Sequence, residues 1–351
     1  MNELAQLVDD LGRRSFDARL GHRGLPETLD EALWRNLEDT GLARLTSSQD
    51  AGPAEAAIVL SGLARHAAAA PIAETDLLAA WLAAKAGLPE PDAGPLTVAI
   101  ADVTETGGRI SGTAREVPWP SATVVLAART ADALHVALIE DAPKIDGHNL
   151  AAEPRGSVTF DVAVGDTRTV DVGVAEELTL TPSRGRQATS PRRRGAWARC
   201  TQIVGVLDAA CDLTVAHTSE RVQFGRQLSK FQAVQHSLAA MAGEIERARA
   251  ATALAVAAAT DYGFDHPATD YAVTAAKVAV GRAVPPVTTI AHQLHGAIGV
   301  TIEHRLWLAT MRARSWVDDF GTTTQYARRL GRMALAAADP WDVVVSYPAP
   351  R

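Results

Sequence analysis

From about Arg194 to Arg332 apolar residues recur at three- and four-residue spacing with few interruptions, and a chain built this way must bury one stripe of each helix against another helix. Ile203, Leu207, Ala210 and Thr214 mark the inward face of a first helix, and Val234, Leu238, Met241, Ile245 and Ala248 that of a second. Two further helical stretches run roughly from Thr269 to Leu294 and from Glu303 to Leu335. Pro285-Pro286 should kink or divide the former, since proline lacks the backbone donor and crowds the preceding turn. Four helices with this patterning pack as a bundle.

The first half reads differently. Up to about Leu88 the spacing of Leu29, Ala32, Leu33 and Leu37, and of Val59, Leu60 and Leu63, is again helical. At Pro89 the texture changes to Pro and Gly punctuation around short β-branched runs: Leu96 to Val103, Ala122 to Ala128, Leu134 to Glu140, Ser157 to Val164 and Leu178 to Pro182. Ser183 to Gly195 has no hydrophobic period and carries arginines and a proline, so it reads as a linker. The fold class is therefore α+β, with a helical N-terminal domain over 1–90, a small central β domain over 91–185, a C-terminal four-helix bundle over 186–335 and a tail over 336–351.

Composition narrows the function classes. A chain of 351 residues that is 47% hydrophobic can bury a large core, and a formal charge of -7 provides no broad basic field for nucleic acid or an anionic membrane. The long apolar stretch from Ala56 to Leu88 is broken by Arg65, His66, Pro71, Glu74 and Asp76, so it reads as two buried helices rather than a membrane span. The opening residues are charged and helix-forming, which does not suggest a signal peptide. Cys200 and Cys211 share one helix at a spacing unsuited to a disulfide, so reduced thiols and a cytoplasmic location are expected. No metal-ligand spacing is evident, and His295 and His304 read as structural.

Two ordered motifs lie in the helical half. Arg221-Val-Gln-Phe-Gly-Arg-Gln-Leu-Ser-Lys-Phe-Gln-Ala-Val-Gln235 stands between the first two helices, and Gln293-Leu-His-Gly-Ala-Ile-Gly-Val-Thr-Ile-Glu-His-Arg305 follows the third. Together they resemble the R-x-x-F-G…F-Q-x-x-Q and Q-x-x-G-G-x-G signatures of the acyl-CoA dehydrogenase family, the second in the form of its shorter bacterial members. The resemblance implies FAD as cofactor, an acyl-CoA substrate, and an electron-transfer flavoprotein or other acceptor. It assigns Arg221, Phe224, Gln232, Gln293, Gly296 and Ala297 to the ADP half of FAD, held across a subunit interface. A guanidinium fork suits a pyrophosphate, and small residues let backbone N–H groups approach it. Ala297 departs from the family's second glycine.

The pattern fails where the chemistry needs a base. α,β-Desaturation requires a carboxylate to remove the α-proton while hydride leaves for the flavin. In the family this is a Glu, either in a segment matched here by Asp319-Phe320-Gly321-Thr322, where Phe320 takes its place, or near Gly195, where Arg194-Gly195-Ala196-Trp197 offers no carboxylate. Catalytic residues are thus not assigned. Asp318 and Asp319 are weak candidates, with solvent or Arg312 and Arg314 as alternative partners. The chain resembles the base-lacking partner in heterotetrameric bacterial acyl-CoA dehydrogenases that act on steroid-derived CoA thioesters. Two other readings stay open: a self-sufficient homo-oligomer using Asp318 or Asp319, and a non-catalytic interaction protein of the same fold. Arg192 to Arg194 read as a solvated linker face or, less favoured, as a partner for CoA phosphates.

Overall fold

A computed structural model of the chain describes residues 3–21, 24–48, 51–89, 91, 93–139, 144–170, 193–302 and 304–345. The expected strand at Leu178 to Pro182, most of the linker with Arg192, Glu303 and the last six residues lie outside them.

The N-terminal third is helical: α1 (Glu3–Ala18), α2 (Glu31–Asp39) and α3 (Pro53–Arg65), then a π-helical segment (Ala73–Ala80) that runs into α4 (Trp81–Lys85). Capping fixes the starts of α2 and α3. Asp30 accepts the N–H of Leu33, and Pro53 follows a Gly52 whose own N–H is held by Glu55. The apolar stretch from Ala56 to Leu88 thus forms two helical segments with a break between them, and its charged residues Glu74 and Asp76 are buried rather than solvated.

Among the described residues eight strands follow in two four-stranded sheets, ordered β1-β4-β5-β8 and β2-β3-β7-β6. They are β1 (Leu96–Asp102), β2 (Glu105–Thr106), β3 (Arg109–Pro118), β4 (Thr123–Arg129), β5 (Leu134–Ile139), β6 (Lys144–His148), β7 (Pro154–Ala163) and β8 (Arg168–Val170). Ala99, Val124, Leu126 and Ala128 from the first sheet meet Ile110, Ala114, Val158 and Phe160 from the second in one apolar layer. The opposite face of the first sheet, with Leu96, Val98, Val125, Ala127, Leu134 and Val136, joins the core of the helices. That second burial explains why β4 reads as a continuous apolar run rather than an alternating one. The β3 strand, bulged between Ala114 and Val117, has an alternating and largely polar sequence that carries too little apolar signal to be read alone.

The bundle comprises α5 (Arg193–Glu220), α6 (Gln232–Tyr262), α7 (Pro267–His295), α8 (Arg305–Trp316) and α9 (Thr323–Ala336), with a short α10 (Asp342–Val345) beyond. Two expectations are corrected. The α7 helix is not divided at Pro285 and Pro286, because Val280, Val284, Val287 and Ala291 bury a continuous stripe that outweighs a local proline cost of roughly 3 kcal/mol. The last helical stretch is instead divided by a turn at 317–322, where Phe320 (φ 56°) and Gly321 (φ 110°) take left-handed backbone conformations and Thr322 and Gln325 cap α9 reciprocally. The bundle's fourth position is therefore filled by two short helices in series.

The α3 and α5 helices cross closely at Gly205, where a Cβ would collide with the carbonyl of Ser61. Replacing Gly205 with alanine is expected to lower stability by roughly 1–3 kcal/mol through overpacking against backbone that cannot move aside, measurable as a reduced urea midpoint.

Candidate functional site

The turn between α8 and α9 is the place to begin, because the positions that would supply a base meet there. Phe320 is 5% exposed, and its ring lies so close over Gly195 on α5 that any side chain at Gly195 would overlap it. Both candidate base positions thus occupy one spot, filled by a phenyl ring. Tyr326 donates its hydroxyl hydrogen to the Phe320 carbonyl at 2.9 Å, and Lys277 donates to the carbonyls of Val317 and Asp319, each at 2.8 Å. Burial lowers the pKa of that lysine, with the neighbouring acidic groups opposing the effect.

Asp319 does not accept from Arg312 or Arg314. Its carboxylate receives Arg199 Nε at 2.9 Å, while Arg199 Nη2 reaches Glu74 at 2.6 Å and Nη1 reaches Gln202 at 2.7 Å. Arg312, fully buried, instead binds Glu27 at 2.6 Å and lies 3.9 Å from Glu153. Glu153 also accepts from Trp316 Nε1 at 2.8 Å and Asn149 at 2.6 Å, with Arg155 at 3.8 Å. Burial alone would raise the Glu153 pKa, yet Arg312, Arg155 and Arg199 together hold it below the usual carboxylate range. The cavity among Trp119, Glu153, Arg199 and Trp316 has a volume of about 20 Å³. One water needs about 10–15 Å³, so little more fits. Asp318 is exposed on the turn.

The second group of candidate residues lies near the other end of α8, about 18 Å of helix away. After α5 the chain makes a tight hairpin, Val222–Gln223 against Arg226–Gln227, with Phe224 (φ 53°) and Gly225 (φ 80°) at its two-residue tip. Phe224 is 89% exposed, so the ring is not a core residue. Arg226 stacks on Phe231, and the Leu228 N–H closes the loop on the Arg221 carbonyl at 2.9 Å. The α7 helix ends at Gly296 (φ 67°), from which a five-residue 3₁₀ turn runs to Val300. Arg221, Gln232, Gln293, Gly296 and Ala297 are exposed, as Phe224 is. The two motifs adjoin through His217 and His295, whose rings stack at 4.4 Å.

Arg193 donates to the Phe264 carbonyl at 2.6 Å and lies 3.6 Å from Asp270, while Arg194 packs over both Trp81 and Phe264. These two arginines brace the start of α5 and form no solvated linker face. Trp119 is a buried residue. Burial pushes the Cys200 thiol up to about 12, leaving it unreactive. Among the described residues no cluster of His, Cys, Asp and Glu could hold a metal ion, and no helix is long and apolar enough to cross a membrane. The buried ionic set of Glu74, Glu153, Arg155 and Arg199 escaped the sequence reading. Its one visible signal was an acid inside an apolar run, at Glu74.

Residues 186–332 match the family described as acyl-CoA dehydrogenase, C-terminal domain. The acyl-CoA dehydrogenase IpdE2 of Mycobacterium tuberculosis is 29% identical over 315 residues, covering 86% of each chain. Among solved structures, the ChsE4-ChsE5 complex from Mycobacterium tuberculosis superposes with a TM-score of 0.78 at 22% identity, over 96% of this chain and 98% of that one. The G363A variant of the Tcur3481-Tcur3483 steroid acyl-CoA dehydrogenase does so at 0.77 and 23% identity, over 94% and 97%. The fold is also that of the solved butyryl-CoA and glutaryl-CoA dehydrogenases. Residues 186–332 thus carry an acyl-CoA dehydrogenase C-terminal domain, and the chain as a whole is similar to acyl-CoA dehydrogenases.

Two outcomes follow from this geometry. Gly195→Ala should destabilise the fold by about 1–3 kcal/mol, and adding Phe320→Ala should recover part of that loss, a coupling measurable by a double-mutant cycle in urea. Because its folded pKa is depressed, Glu153 contributes stability above the ordinary carboxylate range that is lost as pH falls through the folded value. Glu153→Gln should therefore give a shallower acid limb in a plot of unfolding free energy against pH than the parent chain.

Proposed function

We propose that the chain is one subunit of a heteromeric, FAD-dependent acyl-CoA dehydrogenase, supplying the ADP-side clamp to a flavin whose reactive end and catalytic base lie in a second, related chain. The observation that carries this reading is Phe320 packed on Gly195, which fills the one spot where either base would stand, while the clamp residues remain exposed. Arg221, Gln232 and Gln293 have no side-chain partner among the described residues, and the open backbone at Gly296 admits close approach of a phosphate. These groups fit the ADP half of FAD. The space beside Trp119 and Trp316 does not fit a tricyclic ring, since ligand pockets run to about 300–1,000 Å³ and this one is near 20 Å³. When bound, FAD accepts the hydride lost from Cβ of the acyl group.

Within this chain Asp319 serves as the counter-charge of Arg199 rather than as a proton acceptor. The acyl group of the substrate is proposed to be steroid-derived, supported by the steroid dehydrogenase among the structural neighbours. An electron-transfer flavoprotein, or an acceptor of equivalent potential, would reoxidise the flavin, and the complex would work in the cytoplasm. The division at 90 and 185 belongs to the same reading, with the last unit carrying the clamp.

The test is the flavin-to-chain ratio. Purified alone, the chain should carry little flavin and show no acyl-CoA turnover. Co-purified with a base-bearing family member, it should give about one FAD per two chains, in keeping with one working site per unlike pair, and Arg221→Ala should lower that ratio. A homo-oligomer with full FAD occupancy and turnover would overturn the proposal.

A further inference from the structure

Nothing in the function proposed above requires the histidines that lie beneath the two clamp segments. His217 belongs to the last turn of α5, and its carbonyl accepts the Arg221 N–H at 2.8 Å, so the helical ladder continues into the hairpin. His295 is the last residue of α7, 7% exposed and next to Gly296. Their rings are nearly parallel, 21° apart, with centroids at 4.4 Å. His304, which caps α8 by accepting the Leu306 N–H through Nδ1, meets His295 edge-on at 5.3 Å.

We propose that the His217–His295 stack is a positioning device, fixing the Arg221 hairpin against the Gly296 turn so that the phosphates of one bound ADP moiety meet both. The inference rests on the clamp reading of these two segments. His295 itself is built not to touch the ligand. Its Nδ1–H donates to the Ala291 carbonyl at 2.8 Å, which fixes the tautomer and leaves Nε2 buried without a partner among the described residues. Burial pushes its pKa down to about 4, and the neighbouring His217 on α5, His304 at the start of α8 and His292 on α7 act in the same direction. A neutral ring can stack closely on a second imidazole without charge repulsion.

The turn is wrapped around this ring. A Cβ at Gly299 would come within 2.8 Å of the His295 Cβ and 3.0 Å of Leu306, so only glycine allows the turn to close over it. His292 ties the same end of α7 to α8 through Thr310 Oγ1 at 2.8 Å. The turn is thereby held to α7 and α8 from within. The hairpin belongs to α5, and the stacked pair is a contact that crosses from one to the other. Arg221 and Gly296 lie 75 positions apart in sequence, and a dinucleotide clamp must hold such remote donors to a fraction of an ångström.

Hydrogen exchange on the full chain tests this directly. In His217→Ala the amides of residues 296–300 should exchange up to about tenfold faster, the most that one stacked ring pair contributes, although the substitution is far away in sequence. His217→Phe, which keeps a flat ring and removes the nitrogens, should return exchange to within about threefold of the parent. In parallel, ADP titrated into the same proteins should bind more weakly to His217→Ala than to His217→Phe, with Arg221→Ala as the reference for loss of the clamp. Unchanged exchange at 296–300 in His217→Ala, or failure of phenylalanine to restore it, overturns the positioning role. If the parent chain and Arg221→Ala bind ADP equally, the clamp reading fails instead, while the exchange arm still decides whether the stack couples the two segments.

Discussion

Buried charge that must be paired within the chain is the constraint on which the rest of this structure depends. Glu27, from the connection between α1 and α2, and Glu74, from the π-helical segment, belong to the N-terminal region, Glu153 and Arg155 to the neighbourhood of β7, and Arg199, Arg312 and Asp319 to the bundle. Each region also pairs charges of its own, Arg19 with Glu27, Arg155 with Glu153 and Arg199 with Asp319, but among the described residues Glu74 and Arg312 meet an opposite charge only across a boundary. An uncompensated buried ion costs several kcal/mol, so the three regions can close only in the arrangement that brings the partners together. The network therefore specifies docking geometry more than it adds stability. Its members also accept from Trp316 and Asn149 and donate to Gln202, while Arg312 Nε lies 3.9 Å from Glu153 without a hydrogen bond.

The same network decides what the interior can do. Its guanidinium and carboxylate groups, with Trp119 and Trp316, leave a space of only about 20 Å³ beside the α8–α9 turn. Phe320 completes the filling by packing on Gly195. At the far end of α8 the reverse holds. Polar side chains and a left-handed glycine are exposed there with capacity to spare, on a hairpin whose outermost residue is a phenylalanine presented to solvent. A filled space beside the α8–α9 turn and an open rim at the hairpin are the two observations on which the proposed role rests. The proposed division of labour follows from where polar groups are satisfied and where they are not.

Much of the architecture was legible because periodicity survives in single residues. The faces marked by Met241, Ile245 and Ala248 and by Ile203, Leu207 and Ala210 are buried as expected, and the strands at 96–102, 123–129 and 134–139 follow from their β-branched runs. The Thr322 and Gln325 pair that starts α9 is a local signal, yet it lay inside a stretch read as one helix. The prolines of α7 misled in the opposite direction, since a local rule about backbone donors was set aside by the buried stripe on either side of them. The β3 strand was lost because its outward residues are polar and its inward ones are few.

The sequence by itself determined the α+β class, the helical bundle and the two ordered motifs, because hydrophobic period and motif order are written in neighbouring residues. It also led to the expectation that neither usual base is present, since residue type at the matched positions, Phe320 and Gly195, is read directly. Only the tertiary structure decided that Gly195 and Phe320 share one place, that Asp319 answers to Arg199 rather than to Arg312, and that His217 stacks on His295. Each of these joins residues remote in the chain, and the energy of pairing a buried charge or closing a ring over a glycine exists only once distant segments meet.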